Sequence, residues 1–423
     1  MNKTGKKKIA LLMLSTGLSL IAAEIILGFV SPSQVIGVGS DRVPNAKYYG
    51  WAWPPNDTIQ FVNPDSGKVT ARDKTNSKGW KDVEHRISKP SGIFRILFLG
   101  DSNTFGEVPL KDLYTRQVES MFHSQGYTNI EVISIGNGGW GTDQSLEALK
   151  REGVTYQPDL VVYQFCGNDV VDNLSPHELT PPDHMMARKP FRYEVVDNRL
   201  VRNERHIKPR PFPLSLRMKK ALLKSNVAWN LNQLTRRYKS PGIKSWVSTD
   251  RQVYTNEQGV VLATQKESDQ LTHWWDKFKP NPDDTCFPYH YGDEPADLQK
   301  AWRLLELLII EMQSTCLKNG SRYMVFSEEG DEGKRQWNLK WNHFQTDGEG
   351  DYIMKDGKRR AVNWHRPLEN LTGACSRHQI PLIAPKRTYQ RYDYDPHPNA
   401  EGNLAMAQDI VDYLLQGREV ATP

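Results

Sequence analysis

Four short polar blocks, far apart in the chain, carry residue types suited to acyl transfer. Gly100-Asp101-Ser102-Asn103-Thr104 offers a hydroxyl, and Gly136-Asn137-Gly138-Gly139-Trp140-Gly141 offers backbone N–H groups in a loop able to approach a substrate closely. Gly167-Asn168-Asp169 offers a side-chain amide, and Asp393-Tyr394-Asp395-Pro396-His397-Pro398 sets an imidazole beside two carboxylates. A hydroxyl nucleophile needs a base within hydrogen-bond reach, a group that orients the base, and donors for the oxyanion. Each block alone also has a plain structural reading. Ser102 would cap a helix, the two glycine-containing loops would be turns, and His-Pro would be a surface turn. Their joint presence, in this order, favours the chemical reading.

The elements around them strengthen it. The apolar run Phe94–Gly100 ends in Gly-Asp-Ser, as a buried parallel strand does when it feeds a loop and helix. Ile130–Gly136 and residues 158–165 are two more such runs, and each ends in one of the polar blocks. Helical spacing covers residues 113–125 and 144–151, and the alternation resumes with a helix over 297–318 and a strand over Arg322–Ser327. A helix over 367–378, a strand over 380–384 and a last helix, Ala400–Gln416, complete the pattern. Five strands alternating with helices imply a parallel sheet covered on both faces, an α/β/α sandwich, with ligands gathering at the carboxyl ends of the strands.

Two long departures interrupt this rhythm. Residues 173–296 hold Pro-rich stretches, a basic helical candidate over 214–238 and the cluster His273-Trp274-Trp275; residues 328–363 are charged and rich in Gly and Trp. A structureless loop of the first length is implausible in a compact domain, so a partly helical insertion, such as a cap over the site, is expected. Residues 31–92, rich in Pro, Gly, Asn and Asp with a β-like stretch at Thr58–Val62, read as a tether and irregular lead-in.

These residues resemble the four blocks of the SGNH (GDSL-type) hydrolases, a superfamily named for a Ser, a Gly, an Asn and a His. The resemblance covers residues 92–172 and 297–416 and implies a flavodoxin-like sheet and a serine esterase. It implies Ser102 as nucleophile and first oxyanion donor, Gly139 and Asn168 as the other donors, and His397 as general base. The family's acid usually precedes His by three positions, where this chain has Tyr394; Asp395 lies two before and Asp393 four before. The Asp-x-His spacing is similar to that of relatives acting on exopolysaccharides. Asp395 is therefore the expected acid, with Asp393 in reserve. Neither a metal nor an organic cofactor is required.

The N-terminus points to a membrane. Lysines crowd residues 3–8, and residues 9–30 run apolar, broken only by small polar residues and Glu24. At about 1.5 Å per residue that run matches the roughly 30 Å hydrocarbon core, and the leading lysines favour a cytoplasmic N-terminus. The expected organisation is an anchor over 1–31, a tether over 32–91 and a hydrolase domain over 92–418, periplasmic or at the cell surface. A cleaved signal peptide is the rival; its apolar stretch would be shorter, and no clean small-residue cleavage site precedes Pro32. Glu24 belongs near the outer interface or against a partner helix.

Composition removes other classes. A net charge of +5, without a basic block in the body of the chain, argues against nucleic-acid binding. Cys166, Cys286, Cys316 and Cys375 form no CxxC pair, which argues against a structural zinc site, and they make no disulfide framework, though an oxidising compartment would allow one bridge between partners the sequence does not choose. Twelve Trp and seventeen Tyr suit core packing and equally a glycan-facing groove. The expected function is an extracytoplasmic esterase acting on O-acyl or O-acetyl groups of a glycan or lipid. An O-acyltransferase onto polysaccharide with the same triad, or a non-catalytic scaffold, are the alternatives.

Overall fold

The computed structural model describes residues 3–30, 46–63, 68–174, 189–205, 225–228, 230–231, 290, 296–341, 344–355 and 358–417. Its centre is a five-stranded parallel sheet of β1 (Phe94–Gly100), β2 (Ile130–Gly136), β3 (Leu160–Phe165), β4 (Arg322–Ser327) and β5 (Leu382–Ile383). The spatial order is β5-β4-β3-β1-β2. It is the doubly wound order in which the direction of progression reverses beside the first strand, so a crevice opens above the carboxyl ends there. The register is tight: Gly100 lies opposite Gly136, and Leu99 opposite Tyr163.

Both faces of the sheet are covered, as near-continuous apolar strands require. Side chains alternate between faces along a strand. Leu97, Leu99, Ile133, Ile135, Val161 and Tyr163 join one core with Leu146 and Leu149 of the helix Thr142–Arg151 and Leu304, Leu305 and Leu308 of the helix Ala296–Lys318. Leu371 of Arg366–Arg377 closes that side. Ile96, Phe98, Val132, Val162 and Phe326 face the other way, against Val118 and Phe122 of Tyr114–Ser124 and Met406, Ile410 and Leu414 of Ala400–Gln416.

The lead-in read as an irregular tether is part of this body from residue 46 onward. Thr58–Val62 pairs antiparallel with Val69–Lys74, and Trp53 stacks on Phe105 at 5.6 Å between ring centroids. Tyr49, Trp80 and Trp140 pack in one buried cluster, Trp80 edge-on to Trp140 and Tyr49 tilted against both, with centroids 5.0 to 6.1 Å apart. Three large rings in one place supply the burial that the polar composition of this stretch concealed.

Parts of both insertions are also defined. In the first, Phe191–Val196 and Arg199–Glu204 form a hairpin held to the helix Thr142–Arg151 by Lys189 on Asp143 at 2.7 Å, a pair with no exposure, and by Arg202 on Glu147 at 2.7 Å. The second holds the helix Glu332–Trp341 and a three-stranded antiparallel sheet over 345–361. The basic helical candidate is described only at residues 225–228 and 230–231, and His273-Trp274-Trp275 and Cys286 lie outside the described residues. Cys166, Cys316 and Cys375 are buried free thiols, so among the described cysteines there is no disulfide.

The N-terminal segment is one helix, Lys3–Val30. Among the described residues no helix is long and apolar enough to cross a membrane, and the expected span is not established in that form. Glu24 meets a partner, and it comes from the chain's own first insertion. Its carboxylate accepts from the Ser225 hydroxyl at 2.7 Å, the Asn226 N–H at 2.6 Å and the Val227 N–H at 3.0 Å.

Candidate active site

The strand β1 ends at Gly100, and there the chain must turn at once. A Cβ on Gly100 would stand 2.2 Å from the Thr104 hydroxyl and 2.6 Å from Gln164 Oε1, so only glycine lets the next turn sit this close over the strand. Asp101 caps the short helix Ser102–Phe105, its carboxylate accepting from the Asn103 N–H at 2.9 Å. Ser102 is therefore the first helical residue, not the cap. With only four residues, the helix contributes its first free N–H groups rather than a long dipole.

His397 arrives from nearly three hundred residues away on the antiparallel pair Arg391–Tyr392 and Asp395–Pro398, just before the helix Ala400–Gln416. That helix is capped by the Asn399 side chain, which accepts from the Gly402 N–H at 3.0 Å and fixes the direction of the hairpin. The imidazole Nε2 lies 2.8 Å from Ser102 Oγ, and Nδ1 lies 2.5 Å from Asp395 Oδ1. The same carboxylate oxygen accepts the His397 backbone N–H at 2.9 Å, so ring and backbone are oriented together. Asp393 turns outward: it is 84% exposed and pairs with Lys340 at 2.8 Å. Of the two acids left open by the sequence, Asp395 is the one at Nδ1.

Burial works against the imidazolium of His397, but the Asp395 carboxylate outweighs it, Glu107 and Asp101 add to it, and the pKa is raised to about 9. Burial likewise favours a neutral Asp395, and the bonds and charge of His397 hold it below the usual carboxylate range instead.

The other two blocks stand at neighbouring strand ends. Gly139 follows β2 in the left-handed region, at φ +72, a conformation that glycine adopts without strain. Its loop is held by an exchange of tryptophan bonds: Trp51 Nε1 donates to Gly138 O at 2.9 Å, and Trp140 Nε1 donates to Trp51 O at 3.2 Å. Asn168 follows β3. Its amide donates to Asp172 at 2.9 Å, with a longer contact of 3.4 Å to Asp101 beside the serine. Among the described residues no backbone acceptor pairs with the N–H of Ser102 or of Gly139.

Behind these residues lies a charged network that the sequence did not disclose. Glu328, just beyond β4, accepts from Cys166 Sγ at 2.8 Å and from the Asn103 amide at 3.1 Å. Burial would raise its pKa, but Lys334 and Arg391 hold it down at about 2. Arg391 also pairs with Asp331 at 2.7 Å and donates to Pro396 O at 2.5 Å, gripping the peptide between Asp395 and His397. Glu329 takes the Gly167 N–H at 2.6 Å and an ion pair from Lys334, anchoring the loop of Asn168. Cys166 is inert as a nucleophile, because burial pushes its thiol well up. The position of Glu328 at a strand's carboxyl end was a usable signal; Arg391 and Lys334 had none.

No family model matches the chain, and no curated protein does. Among solved structures it is similar to a lipase/acylhydrolase from Enterococcus faecalis, at 13% identity and a TM-score of 0.33, covering 77% of this chain and 97% of that one. A GDSL-like lipase from Bacteroides thetaiotaomicron follows at 11% identity and a TM-score of 0.32, covering 78% and 92%. A carbohydrate acetylesterase family member from Sinorhizobium meliloti gives 11% and 0.31, covering 78% and 100%.

Two measurements on one set of proteins check the site. Replacing Asp395 by Asn should lower kcat/KM for an activated ester by on the order of 10²–10⁴-fold, whereas Asp393→Asn should leave it at the wild-type value. A base works only when neutral, so wild-type kcat/KM should rise with pH and reach half its plateau near pH 9. Stability runs the other way. A folded-state pKa raised above the ordinary histidine value of about 6.5 contributes stability that is full below that pH and lost as pH rises through about 9.

Proposed function

We propose that this chain is a serine esterase that works through a covalent acyl-enzyme. The observation that carries the reading is the continuous relay from Asp395 through His397 to Ser102, with contacts of 2.5 and 2.8 Å. In the proposed reaction His397 Nε2 takes the Ser102 proton as Oγ attacks the ester carbonyl carbon. The oxyanion is held by the N–H groups of Ser102 and Gly139 and by the Asn168 amide. Loss of one such donor costs about 2.7–4 kcal/mol of transition-state stabilisation. The tetrahedral intermediate collapses as the ester C–O bond breaks, and the leaving alkoxide takes the proton from His397. Water, activated by the same imidazole, then attacks the acyl carbon and releases the acid, returning the proton to Ser102 Oγ. Asp395 holds the reactive tautomer and stabilises the imidazolium throughout.

The substrate class we propose is an O-acyl, principally O-acetyl, group on a glycan or lipid. The support is the Asp-x-His spacing shared with exopolysaccharide-directed relatives of the SGNH type. We also propose that the helix Lys3–Val30 anchors the enzyme in a membrane with the catalytic body outside the cytoplasm. Its side chains Leu12, Leu14, Leu18, Ile21 and Ile26 are each more than half exposed, and a soluble helix rarely leaves so many large apolar groups in water.

The test compares wild type with Ser102→Ala on p-nitrophenyl acetate and on acetylated polysaccharide, with and without a sugar acceptor. Ser102→Ala should lose more than about 10³-fold in turnover with an unchanged fold. Turnover near wild type would remove Ser102 from the reaction, and release only in the presence of acceptor would make the enzyme a transferase. Carbonate extraction of membranes checks the anchor: the full chain should stay in the pellet, and a chain beginning at residue 32 should be released.

A further inference from the structure

A second carboxylate faces the imidazole from a different element. Glu107 Oε1 stands 3.6 Å from His397 Nδ1, the same nitrogen that Asp395 meets at 2.5 Å, and the three side-chain atoms lie within 4.8 Å of one another. The backbone around Glu107 is tied at four points. Gly106 donates its N–H to Ser102 O at 2.7 Å, which ties the segment to the helix of the nucleophile. The ammonium of Lys81, with no exposure, donates to Gly106 O at 2.8 Å and to Val108 O at 2.5 Å. The carbonyl between them, that of Glu107 itself, accepts from the Tyr392 hydroxyl at 3.3 Å.

A buried ammonium is costly unless it is well paired. Among the described residues Lys81 pairs with the Asp73 carboxylate at 3.5 Å, feels the charge of Glu107, and donates to the two carbonyls flanking Glu107. That expense is understandable if the position of Glu107 matters. We propose that Glu107 is a second acidic positioning residue for His397, making with Asp395 a two-carboxylate cradle around Nδ1 that Lys81 holds in place. The proposal rests on the esterase reading for its purpose: a second negative charge would stabilise the imidazolium formed when Ser102 gives up its proton.

The charged and titratable surroundings are well defined. Asp395 lies on the histidine's own strand, and Asp101 and Ser102 come from the end of β1. Glu328 lies beyond β4 and Arg391 on the paired strand. Lys81, Asp395 and Tyr394 all act on or near Glu107. The pKa of Glu107 is itself raised by burial, against the pull of His397, and Asp395 raises it further. The cradle therefore holds two acids that compete for one cation.

The experiment is an NMR titration of the His397 imidazole in the full chain in detergent micelles, with the resonance assigned by its loss in His397→Gln. Removing a negative charge at this range should lower the midpoint in Glu107→Gln by about one pH unit or more. Glu107→Asp, whose shorter side chain draws the carboxylate back, should give a smaller fall, and it reports on the proposal if the glutamine variant does not fold. A folded Glu107→Gln protein with a wild-type midpoint would overturn the proposal, because a purely structural Glu107 would leave the titration where it was. The esterase reading fails separately: if turnover survives Ser102→Ala, the acyl-enzyme is wrong whatever the titration shows.

Discussion

The candidate site depends on the parallel register that sets Gly100 of β1 opposite Gly136 of β2, with β3 on the other side of β1. Three strands ending at one level deliver Ser102, the Gly139 loop and the Asn168 loop to a single edge. A slip of one residue in either pairing would exchange the side chains of the two buried faces and separate the blocks. Glycine at both strand ends lets Thr104 and the serine turn settle onto the sheet. A Cβ at Gly136 would stand 2.8 Å from Thr104, as one at Gly100 would crowd the same side chain.

The sheet alone does not supply the base. His397 comes from the far end of the chain, and its placement is an electrostatic matter as much as a packing one. Arg391 joins Asp331, Glu328 and Pro396 O, so the hairpin carrying Asp395 and His397 is fastened to the segment just after β4. Lys334 and Glu329 fasten the Asn168 loop to the same segment. Buried charges of this kind contribute little net stability against apolar replacements, but removing one partner leaves the other uncompensated. They make the second insertion's first residues part of the site's support.

The sheet strands and the reacting groups were legible in the sequence because they follow from local signals. Apolar runs of the right length gave β1, β2 and β4 to the residue, and the polar blocks fell at their ends. The acid was legible only as a pair, Asp393 or Asp395, since spacing says nothing of which side chain turns inward. The packing of the lead-in was not legible because the rings of Tyr48-Tyr49-Gly50-Trp51-Ala52-Trp53 bury against Trp140 and Phe105, far along the chain, and no local period marks such contacts. Glu107 and Lys81 were out of reach for a related reason. They matter through three-dimensional contacts between segments with no shared motif, and a single Glu after a helix looks like any other surface acid.

Activation of Ser102 by His397 for attack on an acyl carbon is open to covalent capture. The wild-type chain, treated with a fluorophosphonate probe and digested, should carry the phosphonyl group on the Ser102 peptide, and His397→Gln should remove that label while leaving the fold intact. Labelling of another residue, or equal labelling of Ser102 without the imidazole, would contradict the account.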